Sequence, residues 1–324
     1  MSVQLKKIKS PVIKELEEFN TFFYNSLKSK VSLLDTILKY IVKQKGKQVR
    51  PLFVLLSAGL NGQINQKTYR GAALIELLHT ASLVHDDVVD DSMQRRGVFS
   101  INALWKNKIS VLIGDYLLSR GMLLALNNKD YETLEITSEA VKMMSEGELL
   151  QIEKARTLDI KEDVYFKIIK MKTASLIASS CAIGAASVEA SEMDQNLMKE
   201  FGENTGIAFQ IKDDLLDFST DITGKPKGTD LKEKKLTLPL IYALKKADKS
   251  EKKRIINLIS RHHKKKDTYH TVIRFIEENK GFEYAIQLMN EYRQKALDNL
   301  KPFPDNAYKQ SLTELVNFTV DRKK

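Results

Sequence analysis

Apolar residues recur at intervals of three and four along most of this chain, and strict alternation of apolar and polar residues is scarce. The first spacing places apolar side chains on one face of a helix, so the pattern predicts an all-α protein that needs no sheet. Glycine and proline mark the expected helix ends. The predicted helices cover residues 11–28, 32–44, 51–60, 66–92, 109–127, 130–155, 162–188, 194–218, 238–247, 250–263, 268–279, 282–299 and 306–321. Because no Pro/Ser-rich linker separates them, we expect a single domain spanning residues 1–324.

The composition is that of a globular protein, with 324 residues, 43% of them hydrophobic, and a net charge of +10. Two basic runs lie at residues 245–254 and 261–266. Such runs are typical of solvated surface, and attraction to an anionic membrane is the second interpretation. No nucleic-acid-binding motif is present, so no nucleic-acid partner is expected.

The Lys-rich N-terminus lacks the apolar run of a signal peptide. The least polar stretch, residues 174–188, is too short and too polar to span a bilayer. The single cysteine, Cys181, cannot form an internal disulfide and is expected in the core. We therefore expect a cytoplasmic protein.

Two acidic clusters carry the strongest functional signal. The first contains Asp86, Asp87, Asp90 and Asp91, and the second contains Asp213, Asp214 and Asp217. On a helix, carboxylates four residues apart share a face, where their repulsion costs about 0.2–0.5 kcal/mol per pair. Mg²⁺ would offset that cost, because it prefers carboxylate oxygens and is commonly held together with substrate phosphates. A solvated acidic face is the alternative, and the apolar stretches before both clusters argue against it.

Several cations have the right charge to join these clusters. Lys47 and Arg50 flank a turn just before a predicted helix, where free N–H groups also favour an anion. The planar guanidinium groups of Arg95 and Arg96 can donate paired hydrogen bonds to phosphate oxygens. Further donors are Lys172, Thr173, Lys225 and Lys235. His79, on roughly the helical face of the first cluster, is either a ligand or a hydrogen-bonded core histidine.

No covalent nucleophile is indicated. Cys181 has no obvious activating histidine, and the chain contains no serine elbow, P-loop or dinucleotide fingerprint. What remains is metal-assisted departure of a diphosphate, with a dry apolar cavity around an electrophilic carbon. The long, polar and basic loop at residues 219–235 is a candidate lid.

Six motifs stand along the chain. They are Gly-Lys-x-x-Arg-Pro at 46–51, the run from Leu78 through His-Asp-Asp-Val-Val-Asp to Asp90, Arg-Arg-Gly at 95–97, Lys-Thr-Ala at 172–174, Phe-Gln-x-x-Asp-Asp-x-x-Asp at 209–217 and Asp-Leu-x-Glu-x-Lys-x-Thr-Leu-Pro at 230–239. In order and spacing they resemble the trans-type polyprenyl diphosphate synthase family, over roughly residues 30–300. The resemblance implies an all-α isoprenoid-synthase bundle around a central active-site cavity, usually as a homodimer. Two residues depart from the family pattern: Lys234 stands where many relatives have glycine, and Asp91 extends the first cluster.

The resemblance also implies roles for individual residues. Two or three Mg²⁺ ions that bind and ionise an allylic diphosphate would be held by Asp86, Asp87, Asp90, Asp213, Asp214 and Asp217. The allylic diphosphate would contact Arg95, Lys172, Thr173, Gln210, Lys225 and Lys235, with Lys172 and Lys235 also counted as catalytic. Isopentenyl diphosphate would be held by Lys47, Arg50, His79 and Arg96. Its double bond then attacks the allylic cation, and loss of a proton, with the departing diphosphate as base, gives a longer product.

Product length is predicted from the helix that ends at the first cluster. The allylic tail should run back past Ser82, Ala81 and Leu78, and one isoprene unit is about as long as the helical pitch of about 5.4 Å. Relatives with short products resemble one another in carrying an aromatic residue at the position of Ala81 or Ser82. Both residues are small here, which predicts a hexaprenyl to octaprenyl product, a quinone side-chain precursor. The expected stop lies deeper, at Leu74, Leu78 or Met122.

Four alternatives remain. A geranylgeranyl or farnesyl diphosphate synthase would share every motif, and a terpene cyclase would carry a mixed Asn/Ser/Glu second motif in place of the second Asp cluster. An inactive partner subunit of a heteromeric synthase would be expected to lose its Asp clusters, and a basic helical adaptor would explain neither cluster. A lipid product would also suit peripheral membrane contact for its release.

Overall fold

The computed structural model describes residues 3–44, 46–95, 97–159, 161–218, 228–263 and 265–322. Most of them are helical, which confirms the predicted all-α class. The helices are α1 (Val3–Lys9), α2 (Ile13–Ser26), α3 (Ser32–Lys43), α4 (Val49–Asn61), α5 (Gln66–Val89), α6 (Ile101–Asn127), α7 (Tyr131–Thr157), α8 (Glu162–Ile169), α9 (Ser175–Ser187), α10 (Glu192–Asp217), α11 (Thr229–Lys232), α12 (Leu238–Lys246), α13 (Lys249–His262), α14 (Lys266–Glu278), α15 (Gly281–Asn299) and α16 (Ala307–Asp321). Strands β1 (Gln94–Arg95) and β2 (Val98–Phe99) form a short antiparallel hairpin. The expectation that no sheet is needed is therefore wrong at this one hairpin.

The chain forms two compact units. The first comprises Met1–Val141, Ser179–Lys199 and Pro302–Leu312, and the second comprises Lys142–Ala178, Glu200–Lys301 and Thr313–Lys324. The first acidic cluster lies in the first unit and the second cluster in the second unit. The expectation of a single domain stays a prediction.

In the first unit, α5 positions the first cluster. Its N-terminus is fixed by a capping box, in which the Asn65 side chain accepts the N–H of Lys67 at 2.8 Å and Thr68 Oγ1 accepts the N–H of Asn65 at 3.2 Å. Near the C-terminal end of α5, helix α6 packs so closely that a Cβ on Gly114 would lie 2.1 Å from Nε2 of His85. The approach of α6 to the cluster thus depends on a residue without a side chain.

In the second unit, α10 carries the second cluster across an apolar core. Ile207 and Ile211 of α10 are fully or almost fully buried in that core. Gly206 brings α10 against a π-helical turn, Lys170–Ala174, because a Cβ at this position would stand 2.5 Å from Cα of Ala174. The turn interrupts what the sequence predicts as one continuous helix over 162–188, and it carries two of the predicted site residues.

Two further helix ends differ from the prediction. The stretch from Ile101 to the predicted start at 109 is also helical, because Ser100 Oγ accepts the N–H of Ala103 at 3.0 Å and caps its first turn. α6 is kinked at Lys106, whose φ of 69° and ψ of 165° are not helical, so the predicted start lies just beyond the kink. α5 ends at Val89 rather than at 92, and its first residue beyond the end, Asp90, is the C-cap. Both differences lie beside the first cluster.

Among the described residues, two helical stretches are long and apolar enough to cross a membrane by length and composition alone: Ile101–Asn127 and Glu162–Ser187. Most of the second stretch is buried inside the protein, as a core helix of a soluble protein would be. The first, α6, exposes several large apolar side chains.

Candidate active site

The first cluster sits where α5 ends. Asp86 is half-buried, Asp87 is buried and Asp90 is exposed. The N–H of Asp90 donates to the carbonyl of Asp86 at 2.8 Å, so the last helical turn is complete although Asp90 lies just outside the helix. Asp91 adopts the left-handed conformation, with φ 49°, and turns the chain away. The sequence predicts Asp86 and Asp90 on one face of a helix. Asp86 is helical, but Asp90 lies one residue beyond the end of α5 as its C-cap.

Asp87 has its own counterion. Its Oδ1 accepts from Nε of Arg95 at 2.8 Å and lies 2.7 Å from Nη2. Arg95 belongs to β1, so the short hairpin returns the chain and presents the guanidinium to α5. As the structure stands, Arg95 is engaged with a carboxylate of the first cluster rather than held apart for a phosphate. Arg96, the other predicted phosphate ligand in this segment, lies outside the described residues.

A second pair in the first unit joins two of the predicted isopentenyl diphosphate ligands. Nη1 of Arg50, in the first turn of α4, lies 2.9 Å from Nε2 of His79 on α5. His79 lines a small cavity of about 70 Å³ together with Asp87 and Arg95. Lys47 precedes the helix and is exposed. His79 is therefore hydrogen-bonded to another predicted ligand and is half-buried rather than part of the core. Its role as a substrate ligand stays a prediction.

The predicted product-length residues lie on α5, N-terminal to the first cluster. Ala81 and Leu78 are buried, and Ser82 Oγ donates to the carbonyl of His79 at 3.0 Å. Leu78 belongs to an apolar cluster whose members are Leu74, Leu78 and Ala125, with Leu118, Leu134 and Val141 packed against them. Met122 is 37% exposed and is not part of this cluster. Of the three expected stops, Leu74 and Leu78 have the surroundings of an apolar wall.

In the second unit, four side chains form one hydrogen-bonded line. Thr173 Oγ1 donates to Oε1 of Gln210 at 2.8 Å, and Nε2 of Gln210 donates to Oδ1 of Asp214 at 2.9 Å. The hydroxyl of Tyr165 donates to the other oxygen of Asp214 at 2.7 Å. Both oxygens of Asp214 are thus oriented by donors, and the line includes three of the predicted site residues.

This line borders a cavity of about 250 Å³. Its polar lining includes Gln151, Lys172, Thr173, Gln210, Asp213, Asp214, Asp230 and Lys235, and its apolar lining includes Ile168, Ile169 and Leu236. Lys172 is ion-paired with Glu148 and donates to Gln151 at 3.3 Å, both on α7. Lys235 is ion-paired with Glu233. Two cations and three carboxylates therefore face one cavity that is apolar on one side.

Burial dominates the electrostatics of this cavity. It raises the pKa of Asp214 from 3.8 to about 7, with repulsion from Asp230 adding to the shift. It likewise raises the pKa of Asp230 to about 7, with repulsion from Asp217. The pKa of the Tyr165 hydroxyl is also raised, first by burial and then by the neighbouring Asp214 carboxylate. The hydrogen bonds from Tyr165 and Gln210 lower the pKa of Asp214 but do not cancel the cost of burial.

The other two carboxylates of the second cluster have different partners. The Asp217 side chain accepts the N–H groups of Thr229 at 3.0 Å and Asp230 at 3.1 Å, so it caps the start of α11. Oδ1 of Asp213 lies 2.9 Å from Nη2 of Arg322, whose guanidinium also stacks on the ring of Phe209 at 4.1 Å. Asp217 thereby links the cluster to the predicted lid, within which Thr229 and Asp230 lie.

Part of that predicted lid, residues 219–227, and with it Lys225, lies outside the described residues. The described part, from Gly228 onward, forms α11 and the turn that carries Lys234 and Lys235. Lys234 has φ 59°, the left-handed region that glycine adopts at little cost. The departure from the family pattern at this position therefore coincides with backbone strain.

Sequence reasoning missed three contacts at the second cluster. Tyr165 and Glu148 lie in no quoted motif, and Arg322 lies beyond the stretch of resemblance. Asp230 belongs to the last of the six motifs, but the resemblance implies no role for it. A signal was present for Tyr165, which stands seven residues before Lys172 and so on nearly the same helical face.

The donor chemistry of the second cluster fits a hard divalent cation. Its oxygens belong to carboxylates, which Mg²⁺ and Ca²⁺ prefer. The raised pKa values of Asp214 and Asp230 mean that their ionised forms are destabilised, and a bound cation would offset that cost. Within the described ranges, no three His, Cys, Asp or Glu side chains are already gathered closely enough to hold a metal ion. In the second unit, the carboxylates that would supply oxygens to such an ion are Asp213, Asp214 and Asp217.

The comparisons with known proteins agree with this chemistry. The family model for polyprenyl synthetase matches residues 31–276. The chain is 33% identical to the octaprenyl diphosphate synthase of Haemophilus influenzae over 98% of this chain and 96% of that one. It is 31% identical to a decaprenyl diphosphate synthase structure from Rhodobacter capsulatus, with a TM-score of 0.93 and 99% of each chain covered. A polyprenyl synthase structure from Caulobacter crescentus, complexed with calcium and isoprenyl diphosphate, has a TM-score of 0.90 at 31% identity, covering 99% of this chain and 98% of that one.

This chain belongs to the polyprenyl synthetase family, and it is a prenyltransferase of isoprenoid biosynthesis. The predicted isoprenoid-synthase fold is confirmed.

Proposed function

We propose that this protein is a long-chain trans-polyprenyl diphosphate synthase, which condenses an allylic diphosphate head-to-tail with isopentenyl diphosphate. The observation that carries the proposal is the oriented, buried Asp214 in a cavity that also contains Lys172 and Lys235. Such a cavity suits the departure of a diphosphate, because it combines carboxylates for a metal, cations for phosphate oxygens and an apolar wall for a carbon chain. The similarity to octaprenyl and decaprenyl diphosphate synthases supports the same assignment.

In this proposal six of the seven carboxylates in the two clusters would hold Mg²⁺, two or three ions in all: Asp86, Asp87, Asp90, Asp213, Asp214 and Asp217. When bound, the ions would stabilise the charge that develops on the leaving diphosphate. Tyr165 and Gln210 already orient Asp214, so binding a cation would cost this side chain little further rotational entropy. Calcium in the Caulobacter crescentus structure supports a divalent metal of this kind.

The cations divide between the two substrates. Lys172, Thr173, Gln210 and Lys235 are proposed to contact the allylic diphosphate, because all four line the cavity of the second cluster. Arg50 and His79, which are hydrogen-bonded to each other, are proposed to hold isopentenyl diphosphate. For Lys172 to reach a phosphate, it would exchange its ion pair with Glu148 for the ligand.

The test is synthesis in vitro. Purified protein with Mg²⁺, farnesyl diphosphate and labelled isopentenyl diphosphate should give chains longer than geranylgeranyl diphosphate. Asp213→Asn should reduce turnover by about 10² to 10³, by analogy with the loss of one group that stabilises developing charge. Glu192→Gln, a matched loss of one carboxylate on the exposed first turn of the same helix, should retain activity. Full activity in EDTA, or no elongation at all, would overturn the proposal.

We further propose that the protein is a homodimer that pairs through α6. This helix exposes a row of large apolar side chains: Leu104, Val111, Leu112, Met122, Leu123 and Leu126. Extended apolar patches of this kind mark association surfaces. Light scattering should give twice the 37.0 kDa chain mass, and Leu112→Glu with Leu123→Glu should shift it to one chain. A monomeric wild type that becomes active only with a second, different protein would favour the partner-subunit alternative instead.

A further inference from the structure

The positive charge of this protein is concentrated in one short segment. Residues 245–266 contain ten Lys and Arg against two acidic residues, a net charge of +8 within a chain whose total is +10. The remaining 302 residues are therefore close to neutral. A charge held in so small a part of the chain creates a local field rather than a general solubility effect.

The structure places much of this charge on one face of α13. Ile255 and Ile259 of this helix are completely buried in the core of the second unit. The opposite face presents Lys249, Lys253, Arg254 and Arg261, all exposed, with the uncharged Ser250, Asn257 and Ser260 between them. We call these four cations the basic face.

The acidic residues of the segment do not neutralise the basic face. The carboxylate of Asp248 caps the N-terminus of α13 by accepting the N–H of Glu251 at 2.9 Å. Glu251 lies 3.5 Å from Arg254, a long contact at the edge of the face. Within the described part of the chain, no carboxylate lies within ion-pair distance of Lys249, Lys253 or Arg261. The charge is therefore available to an external anion.

We infer that the basic face docks the protein on an anionic phospholipid bilayer. Charge complementarity selects the partner, because four to eight clustered Lys and Arg residues are the usual means of binding acidic lipid headgroups. A bilayer also suits the shape of the site, since the cations spread along a whole helix rather than gather round one small anion. The inference deepens the proposed function in one respect: a long polyprenyl chain is a membrane lipid, so its synthase gains from working at the surface that receives it.

The contact is electrostatic and reversible. No large apolar side chain is exposed between Met193 and Ile286 in the described ranges, so α13 has no residue to insert among acyl chains. Attraction between exposed charges is screened beyond a Debye length, which is about 8 Å at physiological ionic strength and about 3 Å at 1 M. Binding should therefore be strong in dilute salt and lost in concentrated salt.

Vesicle sedimentation tests the inference with the full-length protein. Vesicles that contain about one third phosphatidylserine should bind it at least tenfold more tightly than vesicles of phosphatidylcholine alone, and roughly molar NaCl should release it. The variant Lys249→Glu, Lys253→Glu, Arg254→Glu and Arg261→Glu should bind both vesicles equally weakly. A control with the same loss of charge elsewhere, Lys6→Glu, Lys14→Glu, Lys30→Glu and Lys199→Glu, should bind as wild type does.

Three outcomes would overturn the inference: equal binding to neutral and acidic vesicles, equal loss of binding in both variants, or binding of duplex DNA with no binding of acidic vesicles. The basic-face variant should retain wild-type synthase activity in detergent solution, because no residue of the basic face lines the cavity of the second cluster. That assay also separates the two proposals. Vesicle binding without synthase activity would refute the proposed function alone, and activity without vesicle binding would refute the docking surface alone.

Discussion

Replacing Asp214 with asparagine tests how much the burial of this carboxylate at the second cluster lowers the free energy of unfolding. Asp214 is almost fully buried, and its pKa is raised from 3.8 to about 7 by burial and by repulsion from Asp230. A native state that raises the pKa of a carboxyl binds more protons than the unfolded chain between those two values. The contribution of Asp214 to stability is therefore fully present below about pH 3.8 and is lost as the pH rises to about 7. We expect Asp214→Asn to stabilise the metal-free protein above that pH.

The size of the expected stabilisation follows from the pKa shift of Asp214. Each pKa unit corresponds to about 1.36 kcal/mol, so a shift of roughly three units gives an upper limit of about 4 kcal/mol. Asparagine recovers less than this, because its amide offers one acceptor where the carboxylate offers two to Tyr165 and Gln210. A misaligned buried hydrogen bond costs about 1–3 kcal/mol. The expected gain in unfolding free energy is about 2 kcal/mol at about pH 8. It shrinks to near zero at about pH 5.5, because the cost of Asp214 has fallen to about 2 kcal/mol there and is matched by the misaligned hydrogen bond of the asparagine.

Urea unfolding in EDTA, at both pH values, measures this difference directly. Asp213→Asn is the matched control, because Asp213 is one residue away, 55% exposed and paired with Arg322. That control should lose a few tenths of a kcal/mol or nothing. Both variants should lose prenyltransferase activity. A destabilised Asp214→Asn at about pH 8, or a gain that persists unchanged at about pH 5.5, would contradict the burial argument.

Other changes test the remaining assignments. Ala81→Phe or Ser82→Phe should shorten the product to about farnesyl or geranylgeranyl length, seen by chromatography of the dephosphorylated chains; an unchanged distribution in both would show that the tail runs elsewhere. Arg50→Ala should chiefly raise KM for isopentenyl diphosphate and Lys172→Ala that for the allylic substrate, whereas equal effects on both constants would refute separate binding sites. Lys234→Gly should raise the unfolding free energy by about 0.5–1 kcal/mol in a urea titration, because a non-glycine residue at φ 59° pays roughly 1–2 kcal/mol for that conformation; a loss of stability would mean that the lysine side chain contributes more than the strain costs.

Apolar periodicity was sufficient to predict the fold class, because the residues on the buried face of a helix recur every three or four positions. It also located α5 and α10, which carry the acidic clusters. It could not reveal the π-helical turn Lys170–Ala174, since the apolar pattern runs through 162–188 without a break. The turn is associated with tertiary packing, where Gly206 lets α10 approach Ala174.

The site was accessible to sequence reasoning only where its members stand close together in the chain. The Asp clusters and their neighbouring arginines are local, and the structure brings Arg95 to Asp87 across a short hairpin. Contacts between distant segments leave no such pattern: Tyr165 reaches Asp214 across 49 residues and Arg322 reaches Asp213 across 109. The roles assigned to these residues stay predictions until the variants above are measured.

The two clusters balance their charge by different means. Asp87, buried in the first unit, has Arg95 as a counterion supplied by its own hairpin. Asp214, buried in the second unit, accepts hydrogen bonds from two neutral donors, and the charged group that most affects its pKa is another carboxylate of the cavity, Asp230. A fold optimised for stability alone would place an arginine or an apolar residue there. The cavity of the second cluster instead retains two carboxyls with raised pKa, Asp214 and Asp230. This arrangement gains most from a divalent cation, because the ion would relieve a cost that the folded chain already bears.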